Sequence, residues 1–223
     1  PRGPPAEATG RPVPAAMRRI GLSGGTFDPP HVGHLVLAKC ARDRLGLDEV
    51  RFIPAGKPPH NPGTRITRAA QRVAMARLAV RGNRAFAVST LETGRGGPSF
   101  TIETLREVAA DSPGARLFLL MGADSLDEFA TWREPESILL LATLAVAGRP
   151  GANARALRRG RAAPARGPSV RGGARIEWID NAEIAVSSSI VRTRVRTGRS
   201  IRYLVPDAVA AYIARHRLYR GRP

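Results

Sequence analysis

Apolar residues follow two alternating patterns along the chain. Short, nearly continuous apolar runs predict buried strands, and they begin near residue 20 and recur at 50–54, 86–89, 117–121, 144–147 and 176–179. Apolar residues at helical spacing predict helices at 35–45, at 68–79, from residue 101 and from residue 188. Strands that alternate with helices in this way predict an α/β fold with a doubly wound parallel sheet.

Three glycine-rich or polar segments follow predicted strands. They are the segment 23–34, the proline-rich loop 55–67 and the Gly-Ala-Asp turn at 122–124. In parallel sheets, ligands bind at the carboxyl ends of the strands. We therefore expect these three segments to border one crevice. A further loop is predicted at 92–100.

The first of these segments reads GGTFDPPHVGH at 24–34. Gly24 and Gly25 have no Cβ, so the backbone can approach a ligand closely. Asp28 is a candidate N-cap, and Pro29 suits the first position of a helix. The N–H groups at such a helix start form an anion site. This segment therefore predicts a bound phosphate.

Two histidines follow in the same segment. His31 and His34 are three residues apart, so both lie on one face of the first helical turn and point towards the predicted phosphate. The alternative is a surface loop with two solvated imidazoles.

A second candidate phosphate motif reads VSSSIVR at 186–192. Ser188 and Ser189 offer hydroxyl groups beside the N–H groups of a predicted helix start. Arg192, one turn later, adds a guanidinium with the fork geometry that phosphate oxygens prefer. On its own, this motif would equally describe a capped helix with a solvated arginine.

Charge and composition restrict the function classes. The net charge of +18 is typical of proteins that bind nucleic acid, an acidic surface or an anionic substrate. Much of this charge lies in two segments that we predict to be outlying: a disordered tail at 1–17, with Met17 as the expected start, and a basic surface excursion at 149–175. The remainder, 18–220, is predicted to be a single domain. Because much of the charge lies outside the core of that domain, a phosphate-rich small ligand is favoured over nucleic acid.

The chain contains a single cysteine, Cys40, and no apolar run near the roughly 20 residues of a membrane span. An internal disulfide is excluded, and a reducing, cytoplasmic location is expected. No membrane partner is expected. Cys40 lies in an apolar helical pattern and is interpreted as a core residue.

The two phosphate motifs, in this order, resemble the HxGH and ISSTxIR motifs of the nucleotidylyltransferase superfamily. Valine stands for the usual isoleucine, and Ser189 for the usual threonine. The resemblance implies a Rossmann-like fold with a small C-terminal helical part. It implies that His31 and His34 contact the phosphates at the reacting centre, with His34 the stronger candidate for transition-state contact. It also implies ATP and phosphate contacts by Gly24, Gly25, Thr26, Phe27, Asp124, Ser188, Ser189 and Arg192.

Further motifs narrow the resemblance to the bacterial nicotinate-nucleotide adenylyltransferase family. They are PPH at 58–60, an arginine-bearing helix with Gln71, Arg72 and Met75, GGPSFT at 96–101, MGADS at 121–125 with Trp132 downstream, and SIRYLVP at 200–206. In this family the elements that correspond to SFT at 99–101 and to Trp132 surround the nicotinate ring. The resemblance therefore implies that nicotinate mononucleotide is bound by Phe100, Thr101 and Trp132, with Lys57 and His60 near its phosphate.

One departure concerns the PPH motif. The family often has lysine directly after it, whereas this chain has Asn61, with Lys57 three residues before His60. We expect Lys57 to supply that charge from the other side of the loop; otherwise the phosphate contact is lost.

The implied reaction joins ATP and nicotinate mononucleotide, with Mg²⁺ carried by ATP and no dedicated carboxylate cage from the protein. Nicotinamide mononucleotide or phosphopantetheine are the alternative acceptors. A basic nucleic-acid-binding protein is the alternative from another class. The oligomeric state is left open, a homo-oligomer included.

Overall fold

The structure is a computed structural model that describes residues 17–57, 66–148, 176–180 and 184–220. The predicted tail lies outside these residues except for Met17, and the basic segment 149–175 lies outside them entirely. The division into a tail and one domain at 18–220 therefore stays a prediction. No helix in the described ranges is long and apolar enough to cross a membrane.

Six parallel strands form the sheet, in the order β3-β2-β1-β4-β5-β6. They are β1 (Arg19–Gly25), β2 (Glu49–Pro54), β3 (Phe86–Val88), β4 (Arg116–Gly122), β5 (Ala142–Ala147) and β6 (Ile176–Ile179). This is the order of a doubly wound sheet, in which the chain leaves β1 towards one edge and returns through β4 towards the other. The predicted fold class is confirmed.

Helices and one 3-10 turn connect and follow the strands. They are α1 (Val32–Leu45), α2 (Ala69–Val80), α3 (Leu91–Gly94), α4 (Thr101–Asp111), α5 (Ala123–Asp127), the 3-10 turn Phe129–Thr131, α6 (Pro135–Leu141), α7 (Ser188–Arg196) and α8 (Asp207–Arg215).

Both faces of the sheet are buried, and the alternation of side chains along β4 illustrates this. Leu117, Leu119 and Met121 pack in one cluster with residues of α4 and α6. Phe118 and Leu120 point to the other face and pack with residues of α1. Burial on both faces explains why the strand reads as a continuous apolar run.

A third, smaller cluster joins the C-terminal helices to α2. Met75 of α2 packs with Val191 of α7 and with Val209 and Ile213 of α8. The predicted C-terminal helical part is therefore present, and it packs directly on the helix that precedes β3.

Two local predictions were wrong. Asp28 does not cap α1 and Pro29 is not its first residue, because α1 begins at Val32 with His31 at the N-cap. The Asp28 carboxylate instead accepts hydrogen bonds from more distant groups, described below. The loop predicted at 92–100 contains a short helix, α3, in which the N–H of Gly94 donates to the carbonyl of Thr90.

Candidate active site

A cleft of about 430 Å³ opens at the carboxyl ends of β1 and β4. These strands are neighbours, and the connections that follow them run in opposite directions along the sheet. Such a switch point is where doubly wound sheets bind ligands. The lining includes residues from both groups of predicted site residues: Gly24, Gly25, Thr26 and His34 on one side, and Phe100, Thr101 and Trp132 on the other.

Phe27 supports the cleft from beneath. Its side chain is buried in the core, and its ring meets the His34 ring edge-on, with 4.9 Å between the centroids. The residue adopts a left-handed backbone conformation, with φ of 50°. The predicted ATP contact of Phe27 therefore cannot come from an exposed aromatic face, and its ring instead fixes the position of His34.

His31 and His34 stack on each other, with 3.7 Å between the ring centroids. The backbone N–H of His31 donates to Nδ1 of His34 over 3.1 Å. A neutral His34 therefore carries its proton on Nε2, and that N–H is its remaining hydrogen-bond donor. Nδ1 of His31 is buried and has no hydrogen-bond partner among the described residues.

Burial keeps both imidazoles neutral at pH 7. Desolvation lowers the pKa of His31 to about 4. The pKa of His34 is lowered to about 3, first by desolvation and then by the neighbouring His31, against the opposing effect of the hydrogen bond from the His31 backbone. Two neutral imidazoles therefore lie side by side at the start of α1, and of the two His34 lines the cleft whereas His31 does not.

Gly33 explains the close packing of the two rings. A Cβ at this position would lie 3.0 Å from Nδ1 of His31 and 3.1 Å from its Cε1. A side chain here would push the His31 ring away from its place, so the glycine between the histidines serves the ring geometry.

Ser188 and Arg192 contact the backbone of the segment that leads into α1. The Ser188 hydroxyl donates to the carbonyl of Pro29 over 2.7 Å, and Nη1 of Arg192 donates to the carbonyl of Asp28 over 2.7 Å. Nη2 of Arg192 donates to the Ser189 hydroxyl over 3.0 Å. The two phosphate motifs are therefore in direct contact, although 159 and 164 residues separate the bonded partners.

Asp124 lies at the second position of α5, directly after β4. A Cβ on Gly122 would lie 2.7 Å from Oδ1 of Asp124, so the carboxylate folds back over that glycine. Asp124 is not among the residues that line the cleft. Its predicted ribose or adenine contact stays a prediction.

The other side of the cleft carries the predicted acceptor residues. Phe100 is the N-cap of α4 and Thr101 is the first residue of that helix, whose first N–H groups have no partner within the helix. Trp132 lies above them after the 3-10 turn, with its ring 5.6 Å from the Phe129 ring. The guanidinium of Arg133 lies 4.7 Å from the centroid of the Phe100 ring.

Lys57 forms a backbone bridge with Pro98, and its carbonyl accepts from the N–H of Ser99 over 3.0 Å. It is therefore next to the acceptor side of the cleft without lining it. His60, Asn61 and the rest of the PPH segment lie outside the described residues. The predicted roles of Lys57 and His60 stay predictions.

The described residues contain no group of three or more His, Cys, Asp or Glu side chains that could hold a metal ion. Nucleotidyltransferases that use ATP generally need a divalent metal.

The sequence predicted no role for three residues near the site. Arg72 is buried and donates to three backbone carbonyls. Glu92 is buried at the cleft and accepts from the Thr104 hydroxyl, and burial raises its pKa. The Tyr219 hydroxyl donates to Oδ1 of Asp28 over 2.6 Å. A charged residue within the apolar pattern of α2 was a usable signal for Arg72, whereas the sequence contains no comparable signal for Tyr219.

Comparison with known proteins identifies the class to which this fold and cleft belong. The profile of the cytidylyltransferase-like family matches residues 22–194, which include both phosphate motifs. Two solved structures of Plasmodium falciparum nicotinic acid mononucleotide adenylyltransferase, one complexed with APC and one with NaAD, share the fold at a TM-score of 0.70. Each alignment covers 91% of this chain and 97% of the other, at 16% and 18% identity. The chain thus has the fold of the cytidylyltransferase-like nucleotidyltransferases.

Closer relatives define the family within that class. A protein of Thermomicrobium roseum is 44% identical over 92% of both chains, and one of Salinibacter ruber is 44% identical over 90% of this chain and 97% of its own. Both carry the name "Probable nicotinate-nucleotide adenylyltransferase". The chain belongs to the nicotinate-nucleotide adenylyltransferase family. The predicted family is confirmed, and with it the prediction of a nucleotidyltransferase.

Proposed function

We propose that the protein transfers the adenylyl group of ATP to nicotinate mononucleotide, which yields nicotinate adenine dinucleotide and pyrophosphate in NAD biosynthesis. A phosphate oxygen of the mononucleotide attacks the α-phosphorus of ATP. The bond from that phosphorus to the bridging oxygen breaks, and pyrophosphate leaves with the electron pair. The acceptor phosphate is already ionised, so no general base is needed.

The observation that carries this proposal is the pair of neutral, stacked imidazoles at the start of α1, beside the glycine-rich loop. Nε2–H of His34 is directed by the bond that its Nδ1 accepts from His31. A donor held in advance where charge develops stabilises a transition state without reorganisation. His34 therefore contacts the α-phosphate during transfer, and His31 assists in binding the phosphates.

The other predicted ATP contacts fit the same arrangement. Gly24, Gly25 and Thr26 line the cleft at the end of β1, where the glycines let the backbone approach the phosphates closely. Ser188, Ser189 and Arg192 hold the triphosphate after exchanging part of their present bonds to the chain. Asp124 contacts the ribose or adenine. Mg²⁺ bound to ATP would supply positive charge for the phosphates, held mainly by the phosphate oxygens.

The acceptor lies across the cleft. Trp132 offers an aromatic surface for the nicotinate ring. The N–H groups at the start of α4, beside Phe100 and Thr101, receive its carboxylate, since a helix N-terminus favours an anion. Lys57 and His60 contact its phosphate.

The single cysteine supports a cytosolic location for this reaction.

The test is pyrophosphate release from ATP with nicotinate mononucleotide, nicotinamide mononucleotide or phosphopantetheine offered separately. We expect the fastest release with nicotinate mononucleotide. A His34→Ala variant is expected to lose about 100-fold or more in kcat, the usual effect of removing one such donor.

His216→Ala is the matched control, because His216 is exposed beside Tyr212 and does not line the cleft. It should retain wild-type turnover. Absence of release with nicotinate mononucleotide, or faster release with another acceptor, would reject the proposal.

A further inference from the structure

Arg72 of α2 is a buried cation with an unusual set of partners. Only 1% of its surface is exposed. Nη1 donates to the carbonyl of Thr26 over 2.8 Å, Nε to that of Thr67 over 2.9 Å, and Nη2 to that of Gly56 over 3.2 Å. All three nitrogens of its guanidinium therefore donate to backbone carbonyls, one in the segment 23–34 and two in the loop 55–67.

No ion pair among the described residues includes Arg72. Burial lowers its pKa, and the negative charge of Asp28 is the first effect that opposes this. Burying a guanidinium without an ion-paired carboxylate is costly unless its N–H groups are bonded. The three carbonyls meet that requirement. A lysine in place of Arg72 could not bind all three in the same way, because its ammonium lacks the planar fork of a guanidinium.

Two of the three carbonyls are connected to opposite sides of the cleft. Thr26 ends the glycine-rich loop on the proposed ATP side. Gly56 follows β2, and its N–H donates to the Ser99 hydroxyl over 2.9 Å, next to Phe100 on the proposed acceptor side. A Cβ on Gly56 would lie 2.2 Å from the carbonyl oxygen of Glu92, so this contact is too close for any other residue.

We propose that Arg72 is the positioning residue that holds the ATP side and the acceptor side of the cleft at the separation that in-line transfer requires. This inference rests on the proposed function. Arg72 does not line the cleft and touches neither substrate; it acts through Thr26 and through Gly56 with Ser99. Small errors in the placement of two reacting groups reduce the rate strongly, by as much as about 100-fold for 1 Å.

The experiment compares Arg72→Lys and Arg72→Ala with Val73→Ala in the same helix. Val73 is buried but donates to none of the three carbonyls. Its alanine variant therefore loses packing in the same helix and keeps the hydrogen bonds that hold the two sides of the cleft. We expect Arg72→Lys to lower kcat at least 10-fold with both substrates saturating, and to change each KM less than that. Millimolar guanidinium should restore part of the kcat of Arg72→Ala.

Val73→Ala is expected to lower the melting temperature while keeping kcat near the wild-type value. If Arg72→Lys lowers kcat no more than Val73→Ala does, Arg72 is structural only and the inference is wrong. The wild-type assay separates this outcome from failure of the proposed function, which would appear as no pyrophosphate release from the wild-type protein.

A measurement on the wild-type protein covers the case in which the Arg72 variants do not fold. Arg72 donates to the carbonyls of both Thr26 and Gly56. ATP that fixes Thr26 should therefore also fix Gly56 through Arg72, so saturating ATP alone should slow amide exchange at Gly56. Unchanged exchange at Gly56, with slower exchange at Thr26, would overturn the inference.

Discussion

At the scale of single residues, the most informative group is the His34 imidazole. It is packed against Phe27 and His31, and its Nδ1 is occupied by a backbone N–H. Burial and the neighbouring His31 favour the neutral ring, and the N–H that occupies Nδ1 leaves the proton of that neutral ring on Nε2. The protein thereby holds one donor in a defined direction. As a consequence, the His34 imidazole binds a proton only at low pH in the folded state.

This arrangement predicts a loss of stability in mild acid. The pKa of His34 is lowered from 6.5 to about 3 in the folded protein. Between these values the unfolded chain binds a proton and the folded chain does not, so stability falls as the pH drops below about 6.5. At pH 5 the loss from one such imidazole is about 2 kcal/mol relative to neutral pH. Urea denaturation at pH 7.5 and pH 5 measures it.

A His34→Asn variant serves as the reference, since it cannot titrate in this range. Its free energy of unfolding should depend less on pH between 7.5 and 5 than that of the wild-type protein. An identical pH dependence in both proteins would mean that His34 takes up protons normally in the folded state.

At the scale of elements, the segment between β1 and α1 is held by distant parts of the chain. Arg192 and Ser188 of α7 donate to its carbonyls. The carboxylate of Asp28 accepts from the Tyr219 hydroxyl and, over 3.1 Å, from the N–H of Thr67. The N–H of Val32 donates to the carbonyl of Leu204 over 2.9 Å. The C-terminal helical part is therefore a support for the first phosphate motif.

Tyr219→Phe tests this support. The variant removes the hydroxyl that donates to Oδ1 of Asp28 and leaves a buried carboxylate with one partner fewer. Hydrogen bonds to charged groups contribute about 1.5–3 kcal/mol, so we expect a loss of this size in the free energy of unfolding. We also expect a higher KM for ATP, because the segment that ends in His31 becomes less fixed.

Tyr203→Phe is the control, because the Tyr203 side chain is exposed. It should change neither stability nor KM by a measurable amount. If Tyr219→Phe behaved like Tyr203→Phe, the C-terminal helices would not support the site.

The elements themselves were largely predictable, since local pattern determines them. The continuous apolar run of β4 and the helical spacing in α1 reflect burial that is already visible over a few residues. The prediction that Asp28 caps α1 was wrong because its partner is distant in the chain. The Asp28 carboxylate accepts from the hydroxyl of Tyr219, 191 residues away, and no local pattern can anticipate that partner. The bond from Arg72 to the carbonyl of Thr26, 46 residues away, was unpredictable for the same reason.

At the scale of the whole molecule, the positive charge is not concentrated in the cleft. Lysine and arginine outnumber aspartate and glutamate by 36 to 18 in the chain. Among the described residues that line the cleft, Arg133 alone is an arginine or lysine. The cleft therefore offers one guanidinium among its described lining residues, and the other lysines and arginines of the chain lie outside that lining.

The sheet topology separates the two proposed substrates, and this separation can be tested kinetically. The glycine-rich loop follows β1, whereas Trp132 follows β4 on the far side of the switch point. Trp132→Leu should therefore raise the KM for nicotinate mononucleotide about 10-fold or more, because stacking a base on an aromatic ring contributes about 1–3 kcal/mol. The KM for ATP should stay within about twofold of the wild-type value.

Trp178→Leu is the matched control, because Trp178 is the other tryptophan of the chain and packs at the edge of the core away from the cleft. It should lower stability without a change in either KM. It also leaves Trp132 as the single indole, so nicotinate mononucleotide should quench the fluorescence of Trp178→Leu directly. Parallel increases in both KM values in Trp132→Leu would contradict a divided cleft, since they would mean that one indole serves both substrates.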